Sequence, residues 1–466
     1  MNICANKKKI ISWFITCLIP LFLLLIPCTE TYSLAIKKFC AITLFFIIAL
    51  AFDLLDAYIV GIGMPLLYIL TGVCNYATAF SGWTNSTTML VLTSFIFANA
   101  LDRIGLLKRL GLSLVLKLGG SFDRTMWALL FTGMIITFIT FCNCYIINIA
   151  LGYAIYKSFD LKPTDRESVV VLLVTIASGC TSQLFSYNVL LASVLQSSVQ
   201  TVIPQYSFRW YEICLYNLPI MLFSILLVFF ALKWAKRKNS QALDIHASKL
   251  YCQKAYISLG SISTAEKKAV VILILIMLYL FTQPLHKLDI AYAFMLGSII
   301  CFLPFIKIGD FQDLSRVPWG TMFLVFAFLG IGSAATATGF TEILSQNLSP
   351  LISHAGMTGS VYITFLFGVL ANLILSPFAM CSMLTIPIAQ YCADLEFNIL
   401  PHLLALYQSC DVIFLPYEWP AYLIAFSFGF VNMSTMIKTI SIKAIFEIIF
   451  ICIIVIPLWH IIGLIY

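Results

Sequence analysis

FSGWTNSTTMLVLTSFIFANALDRIGLLKRL, residues 80–110, opens with a polar head, Ser81-Gly82-Trp83-Thr84-Asn85-Ser86-Thr87-Thr88. It then runs apolar to Ala100 and ends in Asp102, Arg103, Lys108 and Arg109. The apolar run has the length of a helical membrane span. A plain span needs no head rich in hydroxyls and amides, so the head reads as an interfacial helix start. Asn85 or Ser86 can accept from the first free backbone N–H groups and cap the helix. Asp102 and Arg103 read as a surface pair at the cytoplasmic edge.

The rest of the chain is of the same kind. Of its 466 residues 61% are apolar and 10% charged, and the mean hydropathy is +1.01. A soluble domain carries about 25% charged residues. The apolar runs are long and unbroken rather than alternating, which excludes a β-barrel and predicts an all-α polytopic membrane protein. The net charge of +7 comes from short basic clusters between spans. No basic soluble domain exists, so nucleic acid is excluded as a partner, and the clusters report orientation. The 15 Cys stand singly, mostly inside apolar runs, and the five His are scattered. They read as packing residues, with no structural metal, cofactor or disulfide framework expected. No nucleophile–His–carboxylate set, phosphate-binding loop or HExxH is present, so the chain is read as neither an enzyme nor an ATP-driven pump.

The expected spans are 10–28, 39–57, 58–73, 86–102, 167–200, 212–232, 269–283, 290–305, 320–337, 400–430 and 444–464. Two further apolar segments, 125–157 and 359–393, are interrupted midway by Phe141-Cys142-Asn143-Cys144-Tyr145 and by Leu375-Ser376-Pro377-Phe378. Each is long enough for two half-helices and a tip, and both read as re-entrant hairpins. The architecture is then about 11 transmembrane helices plus two hairpins. Residues 1–28 start with Lys7-Lys8-Lys9 and lack a small-residue cleavage site, so they read as a first span with a cytoplasmic N-terminus in the inner, or plasma, membrane. With that start Arg103, Lys108, Arg109, Lys233, Lys236, Lys267, Lys307, Lys438 and Lys443 all fall inside. Lys37 and Lys38 do not. Four regions follow: scaffold helices 1–78, a first repeat 79–232, a cytoplasmic linker 233–268, and a second half 269–466.

The pattern of residues 80–110 recurs at an offset of about 233. Thr88-Met89-Leu90 falls on Thr321-Met322-Phe323, and Trp83 and Trp319 precede them. Gly105 and Gly339 follow one position out of register. Asn143 falls on Ser376, and Ser178-Gly179-Cys180-Thr181 near Ser409-Cys410-Asp411. The odd number of spans between equivalents makes the two halves inverted in the membrane. Inverted repeats with broken segments mark secondary transporters, which hold substrate near the midplane.

The block from Ala79 to Thr87, with Asp102-Arg103-Ile104-Gly105-Leu106-Leu107-Lys108-Arg109 after its span, resembles the first half of the divalent anion–sodium symporter family. Members carry citrate, succinate, 2-oxoglutarate, malate or sulfate. The likeness runs at low identity from about residue 40 to the end, closing with Phe428-Gly429-Phe430, Met436-Ile437-Lys438 and Pro457-Leu458-Trp459. It implies elevator-type transport of a small anion by a homodimer in lipid, coupled to sodium or protons. Family hairpin tips read Ser-Asn-Thr. Here they match as Cys142-Asn143-Cys144, keeping the Asn, and as Ser376-Pro377-Phe378, keeping the Ser. The first broken helix resembles Gly179-Cys180-Thr181-Ser182 through Asn188, and the second Ser409-Cys410-Asp411 through Glu418. Sodium is expected near Asn143 and Ser376. The loss of both tip Thr hydroxyls leaves open a related reading, an ion exchanger or arsenite-type oxyanion carrier of the same fold.

The residues themselves support these positions. An unpaired amide at Asn143 in an apolar run costs several kcal/mol, so it has a partner or a ligand. Pro377 removes a donor and breaks the helix. Gly179 with Thr181, Ser182 and Asn188 would line a cavity. Asp411 and Glu418 are carboxylates within a span, where charge is expensive and functional by default. Each also has a structural reading, as a tip hydrogen bond or a helix-end carboxylate.

Overall fold

The computed structural model describes residues 2–29, 32–52, 54–118, 121–140, 145–180, 191–207, 210–235, 250, 253–286, 288–289, 291–373, 377–419, 422, 425–426 and 428–465. Among them every regular element is helical. The first half comprises α1 (Asn2–Leu25), α2 (Leu34–Ala51), α3 (Ala57–Leu70), α4 (Tyr76–Ala79), α5 (Ser86–Arg103), α6 (Leu106–Leu118), α7 (Phe122–Thr140), α8 (Tyr145–Ser158), α9 (Arg166–Cys180), α10 (Leu191–Gln200) and α11 (Trp210–Ala235). The second comprises α12 (Thr264–His286), α13 (Ala291–Phe302), α14 (Phe311–Ser315), α15 (Trp319–Thr338), α16 (Phe340–Asn372), α17 (Pro377–Asp394), α18 (Ile399–Ser409) and α19 (Met433–Ile461), which holds a π-turn at Ile451–Val455.

The order of elements recurs. α5 and α6 are joined through Gly105 at φ +83° and bend by 65°. α15 and α16 are joined through Gly339 at φ +78°. A side chain at either position would be strained, which is why glycine ends both helices. Two adjacent helical arms follow in each half, α7 with α8 and the later part of α16 with α17. Each pair leads into a further helix, α9 or α18, of which α18 stops at Ser409, and later into a long apolar helix, α11 or α19.

Hydropathy overestimated the length of several spans. Among the described residues four helices are long and apolar enough to cross a membrane: Glu212–Ala235, Trp319–Thr338, His354–Asn372 and Met433–Ile461. The bent pair α5–α6 could serve as a fifth. The expected spans 58–73 and 290–305 are helices of 14 and 12 residues. Within the expected 167–200 the described helices are α9 and α10, and the expected 400–430 is interrupted after Ser409, turning to a 3₁₀ turn at Pro416–Glu418. An apolar run reports the solvent around the chain, not whether its backbone stays wound.

The polar head starts α5 as expected, with Asn85 extended before it and the Asn85 carbonyl accepting from the Thr88 N–H at 3.0 Å. It also does something the sequence reading missed, docking onto α15. Ser81 Oγ donates to Ser333 Oγ at 2.9 Å, and the Trp83 ring lies 5.4 and 4.4 Å from those of Phe323 and Phe326.

Two charge readings are corrected. Arg103 does not pair with Asp102. Its Nε and Nη2 reach Asp313 Oδ1 and Oδ2 at 2.8 and 3.1 Å, and Nη2 also donates to Ile308 O. Lys37 and Lys38 are helix-end donors. Lys38 Nζ donates to the C-cap carbonyl of α3, Thr71 O, at 2.8 Å, and Lys37 donates to Ile26 O just beyond α1. Cations favour the carbonyl ends of helices, so both are spent on local structure and do not count towards orientation.

At the start of α12, Ser263 and Glu266 form a reciprocal cap. Ser263 N–H donates to Glu266 Oε2 at 2.6 Å, and Glu266 N–H donates to Ser263 Oγ at 3.1 Å. Arg109 of α6 joins it through Glu266 Oε1 at 2.7 Å, and also donates to the carbonyls of Leu259, Gly260 and Ser261. Burial pushes the Glu266 carboxyl up, but the Arg109 and Ser263 donors outweigh it and hold it below its ordinary value.

Candidate functional site

The arms α7 and α8 run antiparallel, side by side. Asn148 Nδ2 of α8 donates to Thr137 Oγ1 and Gly133 O of α7 at 3.3 and 3.5 Å. In the second half Thr364 Oγ1 of α16 meets Tyr391 OH of α17 at 3.0 Å. The first tip, with Cys142, Asn143 and Cys144, lies outside the described residues. So do Thr181, Ser182 and Asn188 of the first break, and Ser376 of the second tip. Gly179 is buried in the last turn of α9, and Pro377 is buried at the first position of α17, where its missing N–H costs nothing.

Each pair of arms meets the helix that follows it through the same contact. A Cβ on Gly133 would lie 2.3 Å from Ser178 Cβ, and one on Gly368 would lie 2.3 Å from Ser409 Oγ. Only glycine lets the backbones approach this closely. Ser178 and Ser409 stand in the last turns of α9 and α18, and the Gly368–Ser409 contact holds an arm against the mouth of the second break.

The second break can be built atom by atom. α18 stops at Ser409, and the chain resumes as a 3₁₀ turn at Pro416–Glu418. Asn372, last residue of α16, donates from Nδ2 to Val412 O at 3.3 Å, tying the arm to the unwound segment. Gln408 Nε2 donates to Asn217 Oδ1 of α11 at 2.7 Å, and both side chains are fully buried. Ser441 Oγ of α19 donates to Phe414 O at 3.1 Å. Cys381 and Cys410 bring their sulfurs to 3.4 Å, both as free thiols.

Of the two predicted carboxylates, Glu418 is locally satisfied. Its Oε1 accepts from the Leu415 N–H at 2.8 Å, and both oxygens accept from the Phe414 N–H at 3.3 Å. Asp411 instead belongs to a charged cluster. Lys443 Nζ donates to Asp411 main-chain O at 3.1 Å and to Glu447 Oε2 at 2.9 Å, and lies 3.6 Å from Asp411 Oδ2. Lys443 and Glu447 are 2% and 1% exposed. The orientation count places Lys443 in a cytoplasmic basic cluster with Lys438; it is buried in α19, with its ammonium on Asp411 O and Glu447 Oε2. Glu447 was not singled out at all, although Lys443 and Glu447 sit four residues apart in an apolar run, a spacing that pairs side chains on one helix face.

This region suits an ionic substrate better than an apolar cavity nearby does. A cavity of about 730 Å³ lies between α9, α11 and α19, walled by Leu173, Phe230, Trp234, Phe446 and Ile453. It is apolar apart from Thr439 and Lys443, so it offers an anion no array of donors. In the second break the backbone groups leave the helical ladder and are taken up by side chains: the carbonyls of Asp411, Val412 and Phe414 accept from Lys443, Asn372 and Ser441, and the Phe414 and Leu415 N–H groups donate to Glu418. Among the described residues no group of three or more His, Cys, Asp or Glu could hold a metal ion.

Long apolar helices and a helix, α18, that stops inside the packed core are the features of an integral membrane protein; the comparisons with known proteins make it a transporter rather than an enzyme. The sequence model of the citrate transporter family matches residues 44–408. The chain belongs to that family. It is 22% identical over 298 residues to an L-tartrate/succinate antiporter of Shigella dysenteriae serotype 1, covering 59% of this chain and 57% of the relative. It is 21% identical over 290 residues to a membrane protein of Cupriavidus necator, covering 60% and 54%. An uncharacterized transporter of Haemophilus influenzae is 21% identical over 317 residues, covering 61% and 62%. The chain thus matches between 54% and 62% of the length of these relatives. The crystal structure of the Alcanivorax borkumensis YdaH transporter shares the fold, with a TM-score of 0.60, 14% identity and 98% of each chain covered.

Proposed function

We propose that this protein is a secondary transporter that moves small di- and tricarboxylate-type anions across the inner, or plasma, membrane. The observation that carries this reading is the repeated glycine-on-serine contact, Gly133 on Ser178 and Gly368 on Ser409, which joins each pair of arms to the helix that follows it, α9 or α18. Two such units, inverted with respect to each other, would hold one anion between them at the midplane. The arms and breaks would travel as one body against a scaffold that includes α1 to α3, in the manner of an elevator. Asn143, Ser376 and the break residues Thr181, Ser182 and Asn188 are the proposed contacts of substrate and coupling ion. The N-terminus would be cytoplasmic, the working unit a homodimer in lipid, and the coupling ion sodium or a proton.

A second mode, anion exchange, is favoured by two observations. One relative is named an antiporter, and a lysine already occupies the carbonyl end of the second break.

The test is ligand-dependent thermal stabilisation of the purified protein. A ligand that binds only the folded state raises the melting midpoint by mass action. Citrate, succinate, L-tartrate, malate and 2-oxoglutarate are compared with sulfate and arsenite, each with and without sodium. Stabilisation by a carboxylate is the expected result. Stabilisation by arsenite alone would favour the oxyanion carrier, and no shift with any carboxylate would overturn the substrate class.

A further inference from the structure

We propose that Lys443 is a tethered cation: its ammonium fills the position at the second break that a free coupling cation would otherwise take, so this break draws no cation from solution. The inference deepens the transporter reading and rests on it for its functional meaning, though not for its test.

Three observations carry it. First, the position attracts cations. α18 ends at Ser409, so the negative end of its dipole lies at the break, and the Asp411 carbonyl just beyond it accepts from Lys443. Second, a cation is there. Lys443 Nζ lies 3.1 Å from Asp411 O, 2.9 Å from Glu447 Oε2 and 3.6 Å from Asp411 Oδ2. Main-chain and carboxylate oxygens are the ligands a small monovalent cation would use. Third, the site cannot be left empty. Asp411 and Glu447 are two carboxylates at membrane depth, and without a positive partner their burial is heavily penalised.

A side-chain ammonium differs from a bound ion in one respect that matters for transport. It cannot leave to either side, so it offsets carboxylate charge at the break without drawing on any ion gradient. Sodium dependence, where present, must then arise at the first break, and a carrier driven only by its anion gradients is an exchanger.

The experiment follows the melting midpoint of the purified full-length chain. Methylammonium, ammonium or sodium replaces choline at constant ionic strength. Lys443→Ala is expected to melt several degrees below the wild type and to recover saturably with methylammonium, while the wild type does not respond to it. Because Lys443→Ala strands Glu447 and can fail to fold, a second variant, Lys443→Met with Glu447→Met, removes both charges. Asp411 is left with its oxygens open, and the same saturable response is expected. Absence of a cation response beyond that of the wild type in the double variant overturns the proposal. Uptake of citrate and succinate into proteoliposomes separates the two levels of inference. If the wild type moves no carboxylate, the anion reading fails, and the melting result still decides Lys443.

Discussion

Arg103 holds Asp313 with two parallel bonds, 2.8 and 3.1 Å long, across a sequence separation of 210 residues. The carboxylate is fully buried and the guanidinium about a quarter exposed. Asn99 Nδ2 adds a third bond, to Asp313 O at 3.0 Å. The pair fixes the bend between α5 and α6 to the segment leading into α15. A planar fork is what this geometry uses, and lysine cannot supply it. Arg103→Lys should cost about 1–2 kcal/mol, and Asp313→Ala about 3 kcal/mol because it strands the guanidinium. Both should lower the melting midpoint while leaving carboxylate-induced stabilisation in place. Loss of that ligand response with an unchanged midpoint would give Arg103 a role at the substrate instead.

Gly133 and Gly368 admit no side chain. Alanine at either should cost about 1–3 kcal/mol by overpacking. Gly133→Ala is expected to be the worse, since a new methyl meets Ser178 Cβ at 2.3 Å, whereas at Gly368 the nearest atom is the rotatable hydroxyl of Ser409. The compensating pair Gly368→Ala with Ser409→Ala should regain part of the loss. Melting of the four proteins side by side checks this, and equal tolerance of both single changes would contradict the packing described here.

The Arg109–Glu266 pair has a pH signature. The Glu266 carboxyl lies below its ordinary value in the folded protein because the Arg109 and Ser263 donors outweigh burial. A depressed folded value means that its stabilisation is complete above the unfolded carboxyl value, about 4.3, and is lost as pH falls through the folded value. The gap in melting midpoint between wild type and Glu266→Gln should therefore be constant from neutral pH down to about pH 5 and close only below about 4. A gap that already narrowed between pH 7 and 5 would require a raised value and a different arrangement.

Glu418 has its oxygens on backbone N–H groups, so its part is to hold the turn after the second break. Glu418→Gln replaces a charge-assisted acceptor with a neutral one and should cost about 1 kcal/mol. Carboxylate uptake should persist with an unaltered pH profile. An uptake profile that loses its pH dependence in this variant would make Glu418 a carrier of protons after all.

Much of this was readable in the chain. Composition and apolar runs define the membrane class, because lipid demands apolar side chains whatever the topology. Gly105 and Gly339, Ser178 and Ser409 were legible because those positions are set by backbone geometry and close packing, which leave a residue type behind. Charges were read less well. Lys37, Lys38 and Lys443 were counted as basic clusters, yet each is committed to a particular carbonyl. A lysine's long stem allows its ammonium to lie far from where its sequence neighbours suggest. Arg103 was matched to the residue beside it when its partner lies in the other half. Ion pairs across a fold leave no local trace in a single sequence.

The two thiols of Cys381 and Cys410 have a practical consequence. They sit where a hairpin arm meets the second break, 3.4 Å apart, close enough for a membrane-permeant oxidant to join them without engineering. Both belong to the part proposed to travel, so a bond there would staple two pieces of the same moving body and leave its track free. The native chain thus carries its own rigidity gauge: traffic that survives the staple marks that contact as cargo frame, and traffic that stops marks it as a hinge.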